Sequence, residues 1–404
     1  MTLERIHIDY TQYINKLIVF YAFLMPLSRA SLVLFSGLLL ILWTLEGNFR
    51  KKYIVLSQSK IVIVLLLFIV LNLLSILWSD HQDEAFIYVL KYWYFLPMLV
   101  LFTSLKKEYI SKALSAFILG MFLSEMISYG VFFELFHFNG TSPRNPSPFM
   151  HHIEYSIFLA FTALVLLNRI FNEGDIKYKI LYTFFFITMS GNLFLTAGRT
   201  GQFAFILGLF TLALVSFKNK FKALLISMVL AVIIIGIAFN VSTTFHERVI
   251  IGKENLVNVI KDKDYCTSWG GRVGAWILSK EIVSQSPLVG VGPVDNMKEF
   301  HALIDSTYPE MKCMHGSFMH IHNQYLQIFT QLGIIGLLLF ISLFYFIAML
   351  DLKNGEYRNI KYIYLTVILF AFIPEVLIHR QYSMALFSFV IGLLLATHRT
   401  ENEV

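Results

Sequence analysis

Long apolar stretches alternate with short polar ones along most of the chain. A helix needs roughly 20 apolar residues to cross a bilayer, and the pattern predicts about 12 such segments. They lie at residues 14–28, 30–46, 60–79, 86–105, 112–137, 151–171, 178–197, 201–217, 220–240, 322–350, 359–379 and 383–398. The pattern therefore predicts an all-α polytopic membrane protein, with residues 1–404 forming a single integral membrane domain.

Basic residues between the apolar segments indicate how the segments are oriented. If the N-terminus is cytoplasmic, nineteen Lys and Arg residues fall in cytoplasmic segments. Four arginines fall in the short loops of the other side: Arg29, Arg144, Arg199 and Arg380. Because short loops rich in Lys and Arg remain in the cytoplasm, the asymmetry predicts that both termini are cytoplasmic.

Residues 241–319 form the longest connection, and this orientation places them in the periplasm. The segment RVGAWILSKEIV has apolar residues at helical spacing, which predicts a structured loop with short amphipathic helices between segments nine and ten. Cys266 and Cys313 both lie in this loop. An oxidising compartment permits a disulfide between them; the alternative is two buried free thiols.

Composition supports the membrane assignment and excludes several classes of function. The chain is 57% hydrophobic and 14% charged, whereas a soluble domain carries about 25% charged residues. The net charge of +6 is spread between apolar runs and does not indicate nucleic-acid binding. Neither a GxxxxGK[ST] loop nor a GxGxxG motif is present, so no nucleotide cofactor is predicted.

Two arginines next to glycines are candidates for binding an anion on the periplasmic side. Arg199 lies in LTAGRTGQ, a break between two apolar runs, and Arg272 follows two glycines in WGGRVGAW at a predicted helix start. Free N–H groups at a helix start favour a bound phosphate, and charges at membrane depth are functional candidates. The alternative for Arg199 is a side chain that snorkels to the interface.

Three further basic residues, Arg380, Arg29 and Lys91, are supporting candidates at the same membrane face. Arg380 lies in IPEVLIHRQYS, Arg29 in a short outer turn, and Lys91 near the outer end of the fourth segment. For Arg380 and Lys91 the alternative is snorkelling, or pairing with one of the acidic residues Asp80, Asp83, Glu84 and Glu375. That alternative is preferred for Lys91.

His320 and His322 precede the tenth apolar segment, in HIHNQYLQIFTQLGIIG. A histidine can accept or donate a proton near neutral pH, so either side chain is a candidate base. Residues at i and i+2 point apart on a helix, and no cluster of acidic or cysteine ligands surrounds them in sequence. No metal site is therefore predicted. The alternative for His322 is a structural histidine at the interface.

A histidine beside several arginines suits group transfer from a diphosphate. Arginines bind phosphate oxygens and stabilise charge on a leaving group, while a neutral histidine takes the proton of an incoming hydroxyl. A periplasmic site is not expected to meet nucleotide sugars, so a glycan on a polyprenyl diphosphate is a suitable donor. These arguments alone leave other reactions open.

The same residues resemble the O-antigen ligase family, whose superfamily also contains O-antigen polymerases and protein O-oligosaccharyltransferases. The family pattern H[NSQ]x9GxxG is matched by His322, Asn323, Gly333 and Gly336. His320 matches the upstream HxHN arrangement of the ligases. Arg199 and Arg272 match the two family arginines, and the plan of twelve helices with one large periplasmic loop covers nearly the whole chain.

The resemblance implies a glycosyltransferase of the bacterial inner membrane that acts in lipopolysaccharide biosynthesis. His322 would be the catalytic base, and Arg199 and Arg272 would bind the diphosphate of undecaprenyl-diphosphate-linked O-antigen. The acceptor would be a sugar hydroxyl of lipid A–core, with inversion and no metal or other cofactor. An O-antigen polymerase or a protein O-oligosaccharyltransferase is the alternative. A lipid or solute transporter is a more distant alternative, because the polar residues lie at one membrane face rather than at the midplane, where transporters bind their substrates.

Overall fold

The computed structural model describes residues 9–403, and every regular element among them is helical. Short 3₁₀ helices lie at Ile76–Trp78, Lys91–Phe95 and Pro309–Met314. The α-helices are α1 (Tyr10–Leu24), α2 (Arg29–Leu45), α3 (Phe49–Ser57), α4 (Lys60–Ser75), α5 (Gln82–Leu90), α6 (Pro97–Ser104), α7 (Lys107–Phe132), α8 (His152–Asn172), α9 (Ile176–Leu195), α10 (Arg199–Ser216), α11 (Lys220–Val241), α12 (Thr243–Asp262), α13 (Ser268–Gln285), α14 (Asp295–Ser306), α15 (Gln324–Ala348), α16 (Gly355–Ala371) and α17 (Gln381–Asn402).

Many of these helices have the length and composition of membrane spans. Within residues 9–403, 8 helical stretches are long and apolar enough to cross a membrane, or 9 if the bent pair α2–α3 is one span. The other predicted segments are helical too, as α1, α9 and α16. The molecule is thus an all-helical polytopic membrane protein. The number twelve and the orientation stay predictions. Residues 1–8 and 404, which include both termini and Arg5, one of the nineteen basic residues assigned to the cytoplasm, lie outside the described residues.

The membrane bundle is built around α8 and α17. Both helices are buried on nearly all sides and belong to one continuous apolar core. By contrast, α11 is apolar along its whole length but buries only Ala223, Ser227, Ala231 and Ala238. An apolar helix with that much exposed surface is typical of one that faces lipid.

Helices α12, α13 and α14, together with the segment that follows them as far as Ile321, form a separate layer at one end of the bundle, here called the cap. The cap has its own small core, which includes Leu278, Phe300 and Met314. At 20 and 18 residues, α12 and α13 are longer than the short helices that the sequence predicted, because their helical periodicity continues through polar and glycine positions. In this structure Cys266 and Cys313 are joined by a disulfide, with Cα atoms 5.7 Å apart.

Helix α15 is broken at Gly333, where the segment after α13 packs against it. Gly333 has φ +61° and ψ −165° inside an otherwise helical stretch. At this break the N–H of Ile334 donates to the carbonyl of Pro287 at 2.9 Å, and that of Val291 donates to Thr330 at 3.0 Å. The first glycine of the GxxG pattern therefore joins the cap to the helix that follows the histidines.

Gly333→Ala is expected to destabilise the protein by at least about 1–3 kcal/mol, because only glycine adopts this backbone conformation without strain. The new Cβ would also lie 2.2 Å from the carbonyl carbon of Leu288. A lowered midpoint of thermal unfolding in detergent would show the effect. Gly236→Ala is the matched control, because no atom lies within 4 Å of a Cβ there; an equal loss in both variants would contradict the prediction.

Candidate functional site

The two histidines lie in a short non-helical segment between the cap and α15. Ile321 is buried in the core of the cap, and its N–H donates to Gln327 Oε1 at 3.0 Å. Asn323 caps α15 by accepting from the N–H of Leu326 at 3.0 Å. The helical assumption that separated His320 and His322 was wrong, since their ring centroids are 4.1 Å apart.

His322 adopts a backbone conformation that is uncommon for a residue with a side chain. Its φ of +53° lies in the left-handed region, and the contacts of Ile321 and Asn323 on either side hold it there. Residues kept in such conformations cluster at functional sites. The conformation directs the His322 ring toward the loop between α16 and α17.

Glu375, in that loop, is the main residue that sequence reasoning did not assign to the site. It is fully buried, and its Oε2 lies 3.5 Å from His322 Nδ1. In the sequence it was a candidate only for an ion pair with Arg380 or Lys91. The available signal was an acidic residue at the outer end of an apolar segment, in IPEVL, where a charge is costly unless it has a role.

Two arginines hold the Glu375 carboxylate. Arg272 Nη2 donates to Oε1 at 2.7 Å, and Arg380 Nη2 lies 3.7 Å from Oε2. The loop itself is fixed by Gln324, whose Oε1 accepts from the N–H groups of Leu377 and Ile378, both at 2.8 Å. The alternative predicted for Arg380 was pairing with an acidic residue, and the structure shows this ion pair with Glu375.

These contacts keep Glu375 ionised. Burial by itself would raise the pKa of the carboxyl, but the nearby His322 and the charge of Arg272 outweigh burial and lower the pKa to about 2. A carboxylate beside Nδ1 favours the tautomer of the neutral ring that carries its proton on that nitrogen. The other ring nitrogen, Nε2, is then the one able to accept a proton.

Arg199, the first residue of α10, lies beside Arg272. Its Nη2 donates to Ser268 Oγ at 3.1 Å, and Arg272 Nη1 donates to the carbonyl of the same serine at 2.8 Å. Arg199 Nη1 is buried and, within residues 9–403, has no hydrogen-bond partner. Buried donors are nearly always paired, so this nitrogen is placed to meet an anionic ligand.

His320 is engaged at both of its ring nitrogens. Nε2 lies 3.2 Å from Arg380 Nη2, and Nδ1 lies 3.3 Å from the backbone nitrogen of His322. Burial, together with the neighbouring His322 and Arg380, lowers the pKa of His320 to about 3, so the ring is neutral. His320 therefore fits a supporting role, and His322 is the better placed base.

Arg29 and Lys91 lie outside this cluster. They line an open cavity of about 690 Å³ on the far side of Arg380. Arg29 Nε donates to Gln381 Oε1 at 2.9 Å, next to Arg380 in the chain. Of the five basic candidates, the structure brings Arg199, Arg272 and Arg380 to the histidines and places the other two at a neighbouring cavity.

His320, His322 and Glu375 also meet the simplest geometric condition for a metal site, with potential ligand atoms within 4.8 Å of one another. The sequence shows no acidic ligand near the two histidines, but the structure brings Glu375 to them. However, both carboxylate oxygens of Glu375 face guanidinium groups, and two positive charges disfavour a cation there. The absence of a metal stays a prediction.

Comparison with known proteins gives a similar protein and a family match. A similar protein from Haemophilus influenzae, described as an uncharacterized protein, is 24% identical over 229 residues, which cover 54% of this chain and 56% of that protein. Residues 184–341 match the family described as O-antigen ligase. This segment contains Arg199, Arg272, His320 and His322, so the part of the chain that holds these residues is similar to the O-antigen ligase family.

Proposed function

We propose that the protein is an O-antigen ligase. It transfers O-antigen polysaccharide from undecaprenyl diphosphate to a sugar hydroxyl of lipid A–core, at the periplasmic face of the bacterial inner membrane. The observation that carries the proposal is His322, whose Nδ1 faces a buried carboxylate held by Arg272 and Arg380. A base oriented by a carboxylate beside several guanidinium groups suits attack by a hydroxyl on a diphosphate-linked sugar.

In the proposed reaction, the acceptor hydroxyl loses its proton to Nε2 of His322 as its oxygen attacks the anomeric carbon of the donor. The bond from that carbon to the diphosphate oxygen breaks, and its electron pair leaves with the undecaprenyl diphosphate. Arg199 and Arg272 bind the diphosphate and stabilise its growing charge. Glu375 stabilises the imidazolium that forms. A single displacement of this kind inverts the anomeric carbon and requires no metal.

The location of the site supports substrates that are anchored in lipid. The histidine segment lies at the end of the bundle that the cap covers, and the flanking helices are apolar. Donor and acceptor that share the same membrane reach such a site by lateral diffusion. We therefore include membrane lipids among the partners and place the protein in the inner membrane as a multi-pass component of lipopolysaccharide biosynthesis.

Deletion and complementation in a bacterium with smooth lipopolysaccharide tests this function. A strain lacking a ligase accumulates full-length lipid-linked O-antigen, while its lipopolysaccharide stops at the core. Loss of a polymerase would instead leave a single repeat attached to the core, and loss of a protein O-oligosaccharyltransferase would leave lipopolysaccharide intact. Either of the last two results would overturn the proposal.

Arg199→Gln and Arg272→Gln are each expected to lower transfer about 10²–10³-fold, because each removes a donor to the leaving diphosphate. Arg272→Gln should also lower thermal stability more than Arg199→Gln does, because it leaves the buried Glu375 without its 2.7 Å partner. Transfer by membranes containing purified lipid-linked donor, together with unfolding in detergent, measures both effects.

Lys280→Gln is the matched control, since Lys280 is exposed on the same helix as Arg272. It removes one positive charge and is expected to leave transfer and stability unchanged. Near-normal transfer by Arg199→Gln would contradict its assignment to the diphosphate.

A further inference from the structure

A second cationic site lies beside the proposed transfer site. The open cavity of about 690 Å³ is lined by Arg29, Lys91 and Arg380. Among the described residues, its one acidic lining residue is Glu154, which accepts from the N–H and hydroxyl of Ser383 at 3.3 and 3.2 Å. The lining therefore carries more positive than negative charge.

Protein carboxylates do not neutralise two of these cations. Within residues 9–403, neither Arg29 nor Lys91 lies within 4.0 Å of a carboxylate oxygen. Among the described residues, the one side-chain hydrogen bond donated by Arg29 goes to the neutral amide of Gln381. Like charges that share a cavity repel each other unless an anion lies between them, so the cavity is suited to a negatively charged group.

The cavity adjoins the reacting groups through Arg380. This arginine lines the cavity and also contacts His320 Nε2 and the Oε2 oxygen of Glu375, at 3.2 and 3.7 Å. Arg272, on the diphosphate side, contacts the other oxygen, Oε1. The two groups of cations thus contact different oxygens of Glu375. Separate cationic groups for the leaving diphosphate and for the acceptor are compatible with an inverting displacement, in which the acceptor attacks opposite the leaving group.

The rest of the lining suits a sugar chain. Trp93 and Tyr94 provide aromatic surfaces, and Asn139 and Asn145 provide side-chain amides that can bind hydroxyl groups. A site for a simple inorganic ion would need neither aromatic rings nor side-chain amides. The combination of amides, aromatic rings and unneutralised cations fits a glycan that carries phosphate or carboxylate groups.

We propose that this cavity binds an anionic group, phosphate or carboxylate, on the sugar chain of the acceptor and so delivers the acceptor hydroxyl to His322. The naming of the acceptor rests on the proposed ligase function. The presence of an anion site between Arg29, Lys91 and Arg380 does not.

Binding is tested first, without any transfer reaction. The full-length protein in phosphatidylcholine nanodiscs is titrated calorimetrically with glucose 6-phosphate, and with glucose as the uncharged match. The sugar phosphate should bind more tightly than glucose, and the Arg29→Gln/Lys91→Gln double variant should weaken its binding about tenfold or more, the value of a lost charge-assisted contact. Arg144→Gln is the matched control, because Arg144 is exposed on the loop beside the cavity but does not line it.

Other results would overturn the proposal. If Arg199→Gln abolishes sugar phosphate binding while the double variant keeps it, the anion occupies the diphosphate site instead. If phosphatidylglycerol in the nanodisc blocks the sugar phosphate in the wild type, a lipid headgroup occupies the cavity. Equal binding of glucose and glucose 6-phosphate would exclude a charge-selective site.

Transfer kinetics then test the identity of the acceptor. The double variant should raise KM for phosphorylated lipid A–core about tenfold or more, leave kcat unchanged, and show no defect with acceptor whose core phosphates have been removed. An equal defect with both acceptors would overturn the acceptor assignment. If the wild type transfers nothing, the ligase function fails, while the binding experiment still decides whether the anion site exists.

Discussion

His322→Ala is expected to lower O-antigen transfer about 10²–10⁴-fold, the usual loss when a general base is removed. Nδ1 of His322 faces Glu375 at 3.5 Å, which leaves Nε2 to take the proton of the acceptor. That distance is long for a hydrogen bond, and such contacts in enzymes often tighten once substrate binds. Transfer measured with purified lipid-linked donor and core acceptor gives the loss directly.

His315→Ala is the control for this experiment. His315 is an exposed histidine of the cap, with Nε2 3.3 Å from Asp305 Oδ2. Its replacement should leave transfer unchanged. His320→Ala should cause a smaller loss than His322→Ala, because both nitrogens of His320 are already engaged. The assignment of the base would be wrong if His322→Ala retained normal transfer while His320→Ala lost it.

Glu375→Gln is expected to lower transfer about a hundredfold or more, because it removes the carboxylate that orients the base and stabilises its protonated form. The loss should appear in kcat more than in the KM of either substrate, since Glu375 is buried behind His322. Glu375→Asp keeps the negative charge on a shorter side chain. Its transfer rate should therefore lie between those of Glu375→Gln and the wild type.

The same substitution should lower stability in a way that depends on pH. The pKa of Glu375 is lowered from 4.5 to about 2 in the folded protein, so its ionised form stabilises the fold. That contribution is complete above about pH 4.5 and is lost as the pH falls toward 2. The difference in unfolding midpoint between wild type and Glu375→Gln should therefore be constant near neutrality and shrink in acid.

Glu356→Gln is the matched control for both measurements. Glu356 pairs with Arg169 at 3.0 Å, at the opposite end of α16 from Glu375. The control removes an ion pair of similar type but should leave transfer unchanged. If Glu375→Gln keeps normal kcat while losing stability, the role of Glu375 is structural, and its assignment as the carboxylate that orients His322 would be wrong.

Several parts of the site could be predicted from sequence because their signals are local. Arg199 follows a glycine at a helix start, and His322 precedes a long apolar run. Arg272 also follows glycines, but the prediction that it opens a helix was wrong, because α13 begins four residues earlier at Ser268. Asn323 precedes the same helix and caps it, a role that its residue type favours. Each signal depends on a few neighbouring positions, so no knowledge of the fold was required.

Other parts could not be predicted because they depend on contacts between distant segments. Glu375 belongs to the loop after α16, and only the packing of that loop through Gln324 brings it to His322. The separation predicted for His320 and His322 assumed a helix, whereas capping by Asn323 makes the helix begin after them. Arg29 and Lys91 were grouped with the other cations by membrane face alone, which does not fix lateral position.

The sequence by itself determined the helical membrane character of this protein and the residue types that its chemistry requires. Hydrophobic periodicity and charge are properties of short segments, and the transfer of apolar side chains from water acts on each segment separately. Only the tertiary structure decided which charges meet. The carboxylate of Glu375 is stable in the interior only because Arg272, Arg380 and His322 surround it, and three separate parts of the chain supply those partners.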